Sequence, residues 1–234
     1  MMNKGREMIG RVSAWGAVVA GMILAAGLTV SGAADASVAA APVCPSCGHN
    51  LILNPGADQG KGTSTDSVVA VPHWKGTHGF TAATYAWGSS GGGDLSPTSH
   101  GPKNRGKNYF YGGPDSAVST GTQVISVAAA GVKTGKVHYT LAGWLGGFSG
   151  QGDHAVLDVT FENAKGKAIG KTVGIGPVTE AQRGGVSELL LRQRTGVVPS
   201  GTRELKLKLI MTREEGSDND GLADSLSLVF TDKK

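Results

Sequence analysis

The chain has 234 residues, with 22 Lys and Arg, 18 Asp and Glu, and a formal net charge of +4. The charges are scattered along the sequence, and this argues against a nucleic-acid-binding protein. Glycine, at 38 residues, is far above its usual share, and long runs of Ala, Leu and Glu are absent. This composition indicates many short strands joined by tight turns.

Residues 1–36 have the pattern of an export signal. Three basic residues supply a positively charged start, residues 15–30 form an apolar core, and residues 34–36 (Ala-Asp-Ala) fit a small-residue cleavage site. The apolar run is too short and too rich in Gly and Ala for a membrane span, and no second such run follows. We therefore expect a secreted, extracellular protein without membrane contact after cleavage.

Residues 37–49 form an Ala/Pro-rich leader that contains the chain's only cysteines, Cys44 and Cys47. A thioredoxin-type redox site would need a helix after the motif, whereas strand-forming residues 51–53 come next. Zinc would need two further ligands, and His49 could supply at most one. In an exported protein the spacing favours a local disulfide.

Residues 50–232 are predicted to form one all-β domain. Apolar and polar residues alternate in several short segments, and this period of two is typical of strands with one buried face. Lys206 and Lys208 are expected to face solvent in the clearest strand, residues 204–212. Four odd-numbered residues of this strand are expected in the core, namely Leu205, Leu207, Leu209 and Met211.

Nine or ten strands of this kind are expected, with no helix after the signal except a short turn at residues 179–184. This pattern predicts an antiparallel two-sheet β-sandwich, of the jelly-roll type. In the strand at residues 188–194, Leu189 and Leu191 are expected to lie inside the protein.

The first part of the domain is less regular. Residues 68–74 and 80–87 have the composition of short strands. Residues 88–107 contain a run of three glycines and two prolines, and they predict a long exposed loop. Loops of this length are either functional or loosely held.

An acidic stretch precedes the last strand, residues 226–230. Its hard oxygen donors are the side chains of Asp218, Asn219, Asp220 and Asp224. An EF-hand is excluded, because Gly216 and Ser227 would occupy the first and twelfth loop positions, where carboxylates are required. Two interpretations remain open, a calcium site or a solvated Asp/Asn turn between strands.

Seven short motifs occur in a fixed order across residues 50–231: Asn54-x-Gly-x-Asp58-x-Gly60, Val71-Pro-His-Trp74, Asn108-Tyr-Phe-x-Gly-Gly113, Gly143-Trp-Leu-Gly-Gly147, Gly176-Pro-Val-Thr179, Val198-Pro-x-Gly-Thr-Arg203 and Asn219-Asp-Gly-x-Ala-Asp224. In this order they resemble secreted bacterial galactose-binding-domain-like sandwiches, which are related in architecture to carbohydrate-binding modules.

The resemblance implies a structural calcium ion where the N-terminal turn meets the last strand. Asp58 and Asp224 would be its ligands, with Asp220 as a further candidate. Asp58 stands where Glu is usual in the family, and Ser225 stands where Asn is common.

Aromatic side chains are the candidates for contact with a sugar, because exposed rings pack on the C–H faces of pyranoses. Trp144 is the leading candidate, since it alternates with the apolar residues of its strand and is flanked by the Gly-rich residues 146–153. Tyr109, Tyr111 and Trp87 are the further candidates. Core packing is the alternative role for each of these rings.

Other polar groups give weaker signals. The histidines lack metal-ligand spacing, and there is no Gly-x-Ser-x-Gly nucleophile motif. A glycosidase would need two carboxylates across a cleft, for which Asp153, Asp158 and Glu162 are the candidates; a solvated sheet face is the alternative. Four arginines could meet anionic polymers, or simply lie on the surface: Arg183, Arg192, Arg194 and Arg203.

The resemblance implies a secreted, non-catalytic module that binds carbohydrate or another cell-wall or extracellular polymer. The main alternative is a structural or adhesive sandwich without a small ligand, because this fold is widely reused. An extracellular glycan hydrolase or lyase is the third. The oligomeric state is left open by the sequence.

Overall fold

A computed structural model describes residues 44–127 and 136–232 of the protein. The predicted export signal, residues 1–36, lies outside these ranges. Within them, no helix is long and apolar enough to span a membrane. The leader is described only from Cys44 onward, and Cys44 forms a disulfide with Cys47.

The described residues form ten strands and two short helices. The strands are β1 (Lys75–Thr77), β2 (Thr81–Thr84), β3 (Asn108–Gly113), β4 (Val118–Ser126), β5 (Val137–Gly147), β6 (His154–Glu162), β7 (Val173–Ile175), β8 (Glu188–Val197), β9 (Glu204–Thr212) and β10 (Asn219–Asp232). The helices are α1 (Tyr85–Ser89) and α2 (Glu180–Arg183).

The strands pair antiparallel in two five-stranded sheets. The first sheet has the order β1-β4-β9-β6-β7, and the second has the order β2-β3-β10-β5-β8. The main core lies between their inner faces, and it is filled by side chains that alternate along each strand. The predicted all-β, antiparallel two-sheet sandwich is therefore confirmed.

The alternation predicted for β9 is also confirmed. All four of its odd-numbered apolar side chains are fully buried, whereas Lys206 and Lys208 are exposed. This strand lies in the middle of the first sheet, paired with β4 on one side and β6 on the other. Because one face meets the core and the other meets water, the period of two appears directly in the sequence.

The predicted turn at residues 179–184 is present as α2. The Thr179 hydroxyl accepts a hydrogen bond from the Gln182 backbone N–H, and the Gln182 side chain accepts one from the Thr179 N–H. This reciprocal pair is a capping box. Gly184 ends the turn with φ 61°, a left-handed conformation that glycine adopts without steric cost.

Two predicted strands differ in the structure. Residues 68–74 form no strand, and Pro72, which has no N–H to donate, lies within them. The strand predicted at residues 80–87 ends at Thr84. The Thr84 hydroxyl accepts a hydrogen bond from the Trp87 N–H, which is an N-cap, and the chain then turns into α1.

Strand β10 begins earlier than the sequence predicts. The acidic stretch from Asn219 onward belongs to the strand, and pairing with β5 is interrupted by a register shift between Asp224 and Ser227. At the shift, Ser225 has φ 48°. The Asn219 side chain donates to the Met211 carbonyl and accepts from a backbone N–H, so its polar atoms are satisfied inside the protein.

The prediction that Leu189 and Leu191 lie inside the protein is confirmed for Leu189 and wrong for Leu191. The side chain that packs against the core from β8 is Leu190. Leu189 is buried on the opposite face of the sheet, and Leu191 is 48% exposed. The cause is that this sheet is covered on part of both faces, so apolar residues occur at consecutive positions.

We predict that Leu207→Ala lowers the free energy of unfolding by about 2–5 kcal/mol, because it removes a fully buried side chain and leaves a cavity. Lys206→Ala, on the solvent-exposed face of the same strand, should change the free energy of unfolding by less than about 0.5 kcal/mol. Urea unfolding of the two variants measures both values. Equal losses at the two positions would contradict the strand assignment.

Candidate functional site

The outer face of the second sheet carries an apolar cluster of its own. Residues 85–107, here called the covering loop, lie across part of this face. The buried members of the cluster come from the loop and the four strands beneath it, namely Ala83, Tyr85, Leu95, Tyr109, Tyr111, Leu189 and Leu222. Trp87 and Trp144 pack against its margin and remain partly exposed.

Backbone hydrogen bonds close the covering loop and join it to the sheet. The Tyr85 N–H donates to the Lys107 carbonyl at 3.0 Å, so the two ends of the loop meet. The Leu189 N–H of β8 donates to the His100 carbonyl, also at 3.0 Å. Leu95, a residue of the loop, is fully buried. The covering loop is therefore held to the sheet by hydrogen bonds and packing, and it is not a loosely held loop.

Arg105 holds the far half of the loop in shape. Its guanidinium donates hydrogen bonds to three backbone carbonyls, those of Ser96, Ser99 and Pro102, at 3.1, 2.6 and 3.0 Å. The guanidinium carbon also lies 5.0 Å from the centre of the Tyr85 ring, within the range of a cation–π contact. Sequence reasoning missed this residue, because a lone arginine in a polar loop carries no pattern.

A pocket of about 620 Å³ opens between the covering loop and Trp144. The Trp144 ring forms part of its wall, next to His100, whose ring centre is 5.8 Å away. The loop contributes polar and basic side chains, including Lys103 and Arg105. His100 also lies 3.5 Å from a carboxylate oxygen of Glu188 on β8.

The predicted sugar-contacting residues fall into two groups. Trp144 and Trp87 remain partly exposed, and Trp144 lines the pocket. Tyr109 and Tyr111 are only 0% and 3% exposed, so their rings have no free face for a sugar. This corrects the expectation for the two tyrosines, because the covering loop occupies the face on which a ligand would lie.

The structure brings Asp58 and Asp224 together, although they are far apart in sequence. A Cβ atom placed on Gly56 would lie 2.9 Å from Asp58 Oδ2 and 3.1 Å from Asp224 Oδ1. A Cβ atom on Gly106 would overlap Asp58 Oδ2. Only glycine at these two positions leaves room around the carboxylates.

Each of these carboxylates also has protein partners. Asp58 Oδ1 accepts hydrogen bonds from the Lys107 and Asn108 N–H groups, at 2.6 and 3.0 Å. Asp224 Oδ2 accepts one from the Tyr85 hydroxyl at 2.7 Å. Both aspartates therefore anchor the ends of the covering loop.

Burial raises the pKa of Asp224 to about 6. Hydrogen bonds from the Tyr85 hydroxyl and from Ser225 oppose this rise, and the negative charge of Asp58 adds to it. A buried carboxylate beside a second one is stabilised by a donor or a cation. Here the tyrosine hydroxyl is the donor.

Asp220 lies in a second acidic group. Burial, followed by the charges of Asp153, Asp218 and Asp66, raises the pKa of Asp220 to about 7. Burial and the charge of Asp220 raise the pKa of Asp94 well above its usual value. Across residues 44–127 and 136–232, no set of three or more His, Cys, Asp or Glu side chains is arranged to hold a metal ion.

Asp153 and Arg183, two of the residues that the sequence marks as site candidates, form hydrogen bonds with backbone groups of the protein. Asp153 is fully buried and accepts hydrogen bonds from the N–H groups of Glu214, Glu215 and Asp220, so it is not free to act as a catalytic carboxylate.

Arg183, only 2% exposed, donates to four backbone carbonyls, which lie at the end of β5, in the turn after it and in the residues after α2. It is therefore not available to an anionic polymer. Burial lowers the pKa of Arg183.

No protein-family model and no curated protein matches the sequence, but solved structures do. A cyclase from Fischerella sp. TAU, in complex with 4-(1H-indol-3-yl)butan-2-one, aligns with a TM-score of 0.52 and 13% identity, over 80% of this chain and 100% of that one. A family 16 carbohydrate-binding module aligns with a TM-score of 0.45 and 16% identity, over 77% of this chain and 99% of the module.

The enzymatically active domain of bacteriophage CBA120 tailspike protein 4 aligns with a TM-score of 0.47 and 14% identity, over 78% of this chain and 21% of that one. This chain thus spans about a fifth of the tailspike chain. At such identities the likeness to the cyclase concerns the sandwich fold alone.

We predict that Tyr85→Phe lowers the free energy of unfolding by about 1–3 kcal/mol, because it removes a hydrogen bond from the buried Asp224 carboxylate. Tyr139→Phe is the matched control, since this buried tyrosine donates no hydrogen bond to the described residues, and it should be nearly neutral. Denaturant unfolding gives both values. A Tyr85 variant as stable as the control would contradict the anchoring role of this hydrogen bond.

Proposed function

We propose that the protein binds carbohydrate at the pocket beside Trp144. The observation that carries this proposal is a partly exposed tryptophan at the wall of a pocket of about 620 Å³, whose loop side includes the polar residues Ser99 and Asn104. Sugars are bound by this combination, because the ring packs on their C–H faces while polar groups take up their hydroxyls.

The sheet surface next to Trp144 suits an extended ligand. Beyond the covering loop, the outward-facing neighbours of Trp144 along β5 are Ala142 and Thr140. Ala142 pairs with Ser227 of β10, and Thr140 pairs with Thr195 of β8. The other partners on this face are Gln193 and Val229, so small and polar side chains predominate and a polymer could run on from the ring across the strands.

The pocket favours binding over hydrolysis. Glycoside hydrolysis uses two carboxylates that flank the scissile bond. Within the described part of the chain, the residues that line this pocket include neither Asp nor Glu. Glu188 of β8, 3.5 Å from His100, is not among the lining residues. We therefore infer a binding function without catalysis, in an extracellular setting.

Trp144→Leu should weaken retention by the bound glycan about tenfold or more, because it removes the aromatic face but keeps an apolar side chain against the cluster below. Trp87→Leu is the matched control. It alters the other partly exposed tryptophan of the same cluster, which lies outside this pocket. A glycan array followed by affinity electrophoresis measures the effect, with the melting temperature as a check on folding.

An unchanged retention in Trp144→Leu would contradict the site. Failure of the whole array to retain the protein would favour the alternative of a structural or adhesive sandwich.

We further propose that a calcium ion binds at Asp58 and Asp224. Three features support it: hard carboxylate oxygens, an Asp58 Oδ2 that accepts no hydrogen bond from the described residues, and the space kept by Gly56 and Gly106. When bound, the ion would offset the repulsion between the two carboxylates and cross-link the N-terminal turn to β10. Asp220, in the second acidic group, would not be a ligand of this ion.

Chelation with EGTA should therefore lower the melting temperature, and added calcium should restore it. A ligand at a hundredfold excess over its dissociation constant stabilises the folded state by about 2.7 kcal/mol. Asp58→Asn should abolish the response to EGTA, and Asp220→Asn should retain it. No response in the unaltered protein, together with no calcium by elemental analysis, would refute the calcium site.

A further inference from the structure

We propose that the glycan bound beside Trp144 is an acidic polysaccharide, one that carries carboxylate or sulfate groups. This inference rests on the proposed carbohydrate-binding function and extends it to the charge of the ligand. The observation behind it is that the pocket lined by Trp144 is also lined by two cations, Lys103 and Arg105, and by no carboxylate of the described residues.

The two cations have no acidic partner in the protein. Within residues 44–127 and 136–232, neither Lys103 nor Arg105 forms an ion pair, whereas His100 faces Glu188 at 3.5 Å. Lys103 is exposed. An unpaired lysine and arginine on opposite sides of Asn104, at the wall of a pocket, attract an anion and are not offset by a neighbouring side chain.

Arg105 is fixed in place before any ligand arrives. Three of its N–H groups donate to the carbonyls of Ser96, Ser99 and Pro102, and its guanidinium carbon lies over the Tyr85 ring. A guanidinium has five N–H groups, so two remain, and carbonyl partners do not cancel its charge. A cation that is already ordered loses little side-chain entropy when it binds an anion.

The positive charge continues beyond this pocket. A second pocket, of about 510 Å³, shares Pro97, Lys103 and Arg105 with the first, and its wall adds Lys107. No Asp or Glu of the described ranges lines it either. A polymer with a charge on each sugar or every second sugar would meet a cation at successive positions, whereas a neutral polymer would leave them unused.

The nearby acids lie outside both pockets. Asp58 Oδ1 accepts hydrogen bonds from the Lys107 and Asn108 backbone N–H groups, Asp224 is buried, and neither residue lines either pocket. Single-stranded nucleic acid also uses cations and aromatic rings, but it is bound by several stacked bases along a charged groove. This site offers one partly exposed ring, Trp144, and so the observations favour a glycan.

The test compares polymers that differ in charge alone. Polygalacturonate is set against its fully methyl-esterified form, and dextran sulfate is set against dextran, with the full chain in affinity electrophoresis. We expect at least about tenfold stronger retention by one charged polymer than by its neutral counterpart, and a loss of that preference as sodium chloride rises, because salt screens exposed charges. The pair that shows the preference identifies carboxylate or sulfate as the recognised group.

Two lysine-to-glutamate variants with the same change in net charge show whether the preference for a charged polymer arises at this pocket. Lys103→Glu should weaken retention by the charged polymer about threefold to tenfold, in keeping with the small energies of exposed ion pairs. Lys165→Glu makes the same change in net charge on an exposed lysine of the turn after β6, in the other sheet, and should change retention less than about twofold. Trp144→Leu should weaken retention of the charged polymer about tenfold or more, as for any glycan bound at this pocket.

The two proposals fail in different ways. Equal retention by charged and neutral polymers, lost in Trp144→Leu, would overturn the acidic ligand and leave carbohydrate binding intact. Equal effects of Lys103→Glu and Lys165→Glu would also overturn it, since attraction would then follow net charge and not this pocket. Retention by poly(dT) in preference to every polysaccharide, or by no polymer at all, would overturn both.

Discussion

The packing of β10 between β3 and β5 is the constraint on which the rest of the structure depends. Its inner side chains, Leu226, Leu228 and Phe230, help to fill the main core. On its outer side Leu222 lies in the second cluster, and the buried Asp224 accepts a hydrogen bond from Tyr85 of that cluster. Beyond the part of β10 that pairs with β3, the segment at residues 48–51 lies along β10. The N–H groups of Gly48 and Leu51 donate to the carbonyls of residues 230 and 228. The ends of the described domain thus meet along one strand. Trp144 is held directly opposite Asp224 in the register of β5, so the position of the candidate site follows from this strand.

The sequence predicts those parts of the fold in which one face of a strand meets water. In β9 the contrast between buried Leu and exposed Lys follows from that environment, and the short turn α2 was predicted at its true position. The prediction failed on the second sheet, where the covering loop buries part of the outer face. Tyr109 and Leu189 are apolar on that face for the same reason that core residues are apolar on the other. No local pattern distinguishes a second core from a ligand platform, because both need large apolar side chains at alternate positions.

The candidate site was predictable only in part. Trp144 could be singled out because it alternates with core residues, and Asp58 with Asp224 could be singled out from the order of short motifs. Lys103 and Arg105 could not, since their relevance arises from the closure of a long loop rich in Gly, Ser and Pro. That closure depends on a backbone hydrogen bond between residues 85 and 107, and periodicity contains no information about such contacts. The charge of the pocket is therefore a tertiary property, although each residue that makes it is visible in the sequence.

Arg183 and Arg105 make the same kind of contact, a guanidinium that donates to several backbone carbonyls, one in the protein interior and one at the candidate site. Arg183 and Arg105 each order a loop by donating to several backbone carbonyls, which is possible because the guanidinium carries its donors in a rigid plane. Arg183 is buried, and among the described residues its guanidinium donates hydrogen bonds only to the backbone carbonyls around it. Arg105 performs the same ordering at the wall of an open pocket, beside an exposed lysine and a tryptophan. Arg105 therefore contributes both to the stability of the loop and to the positive charge of the pocket, to which Lys103 adds.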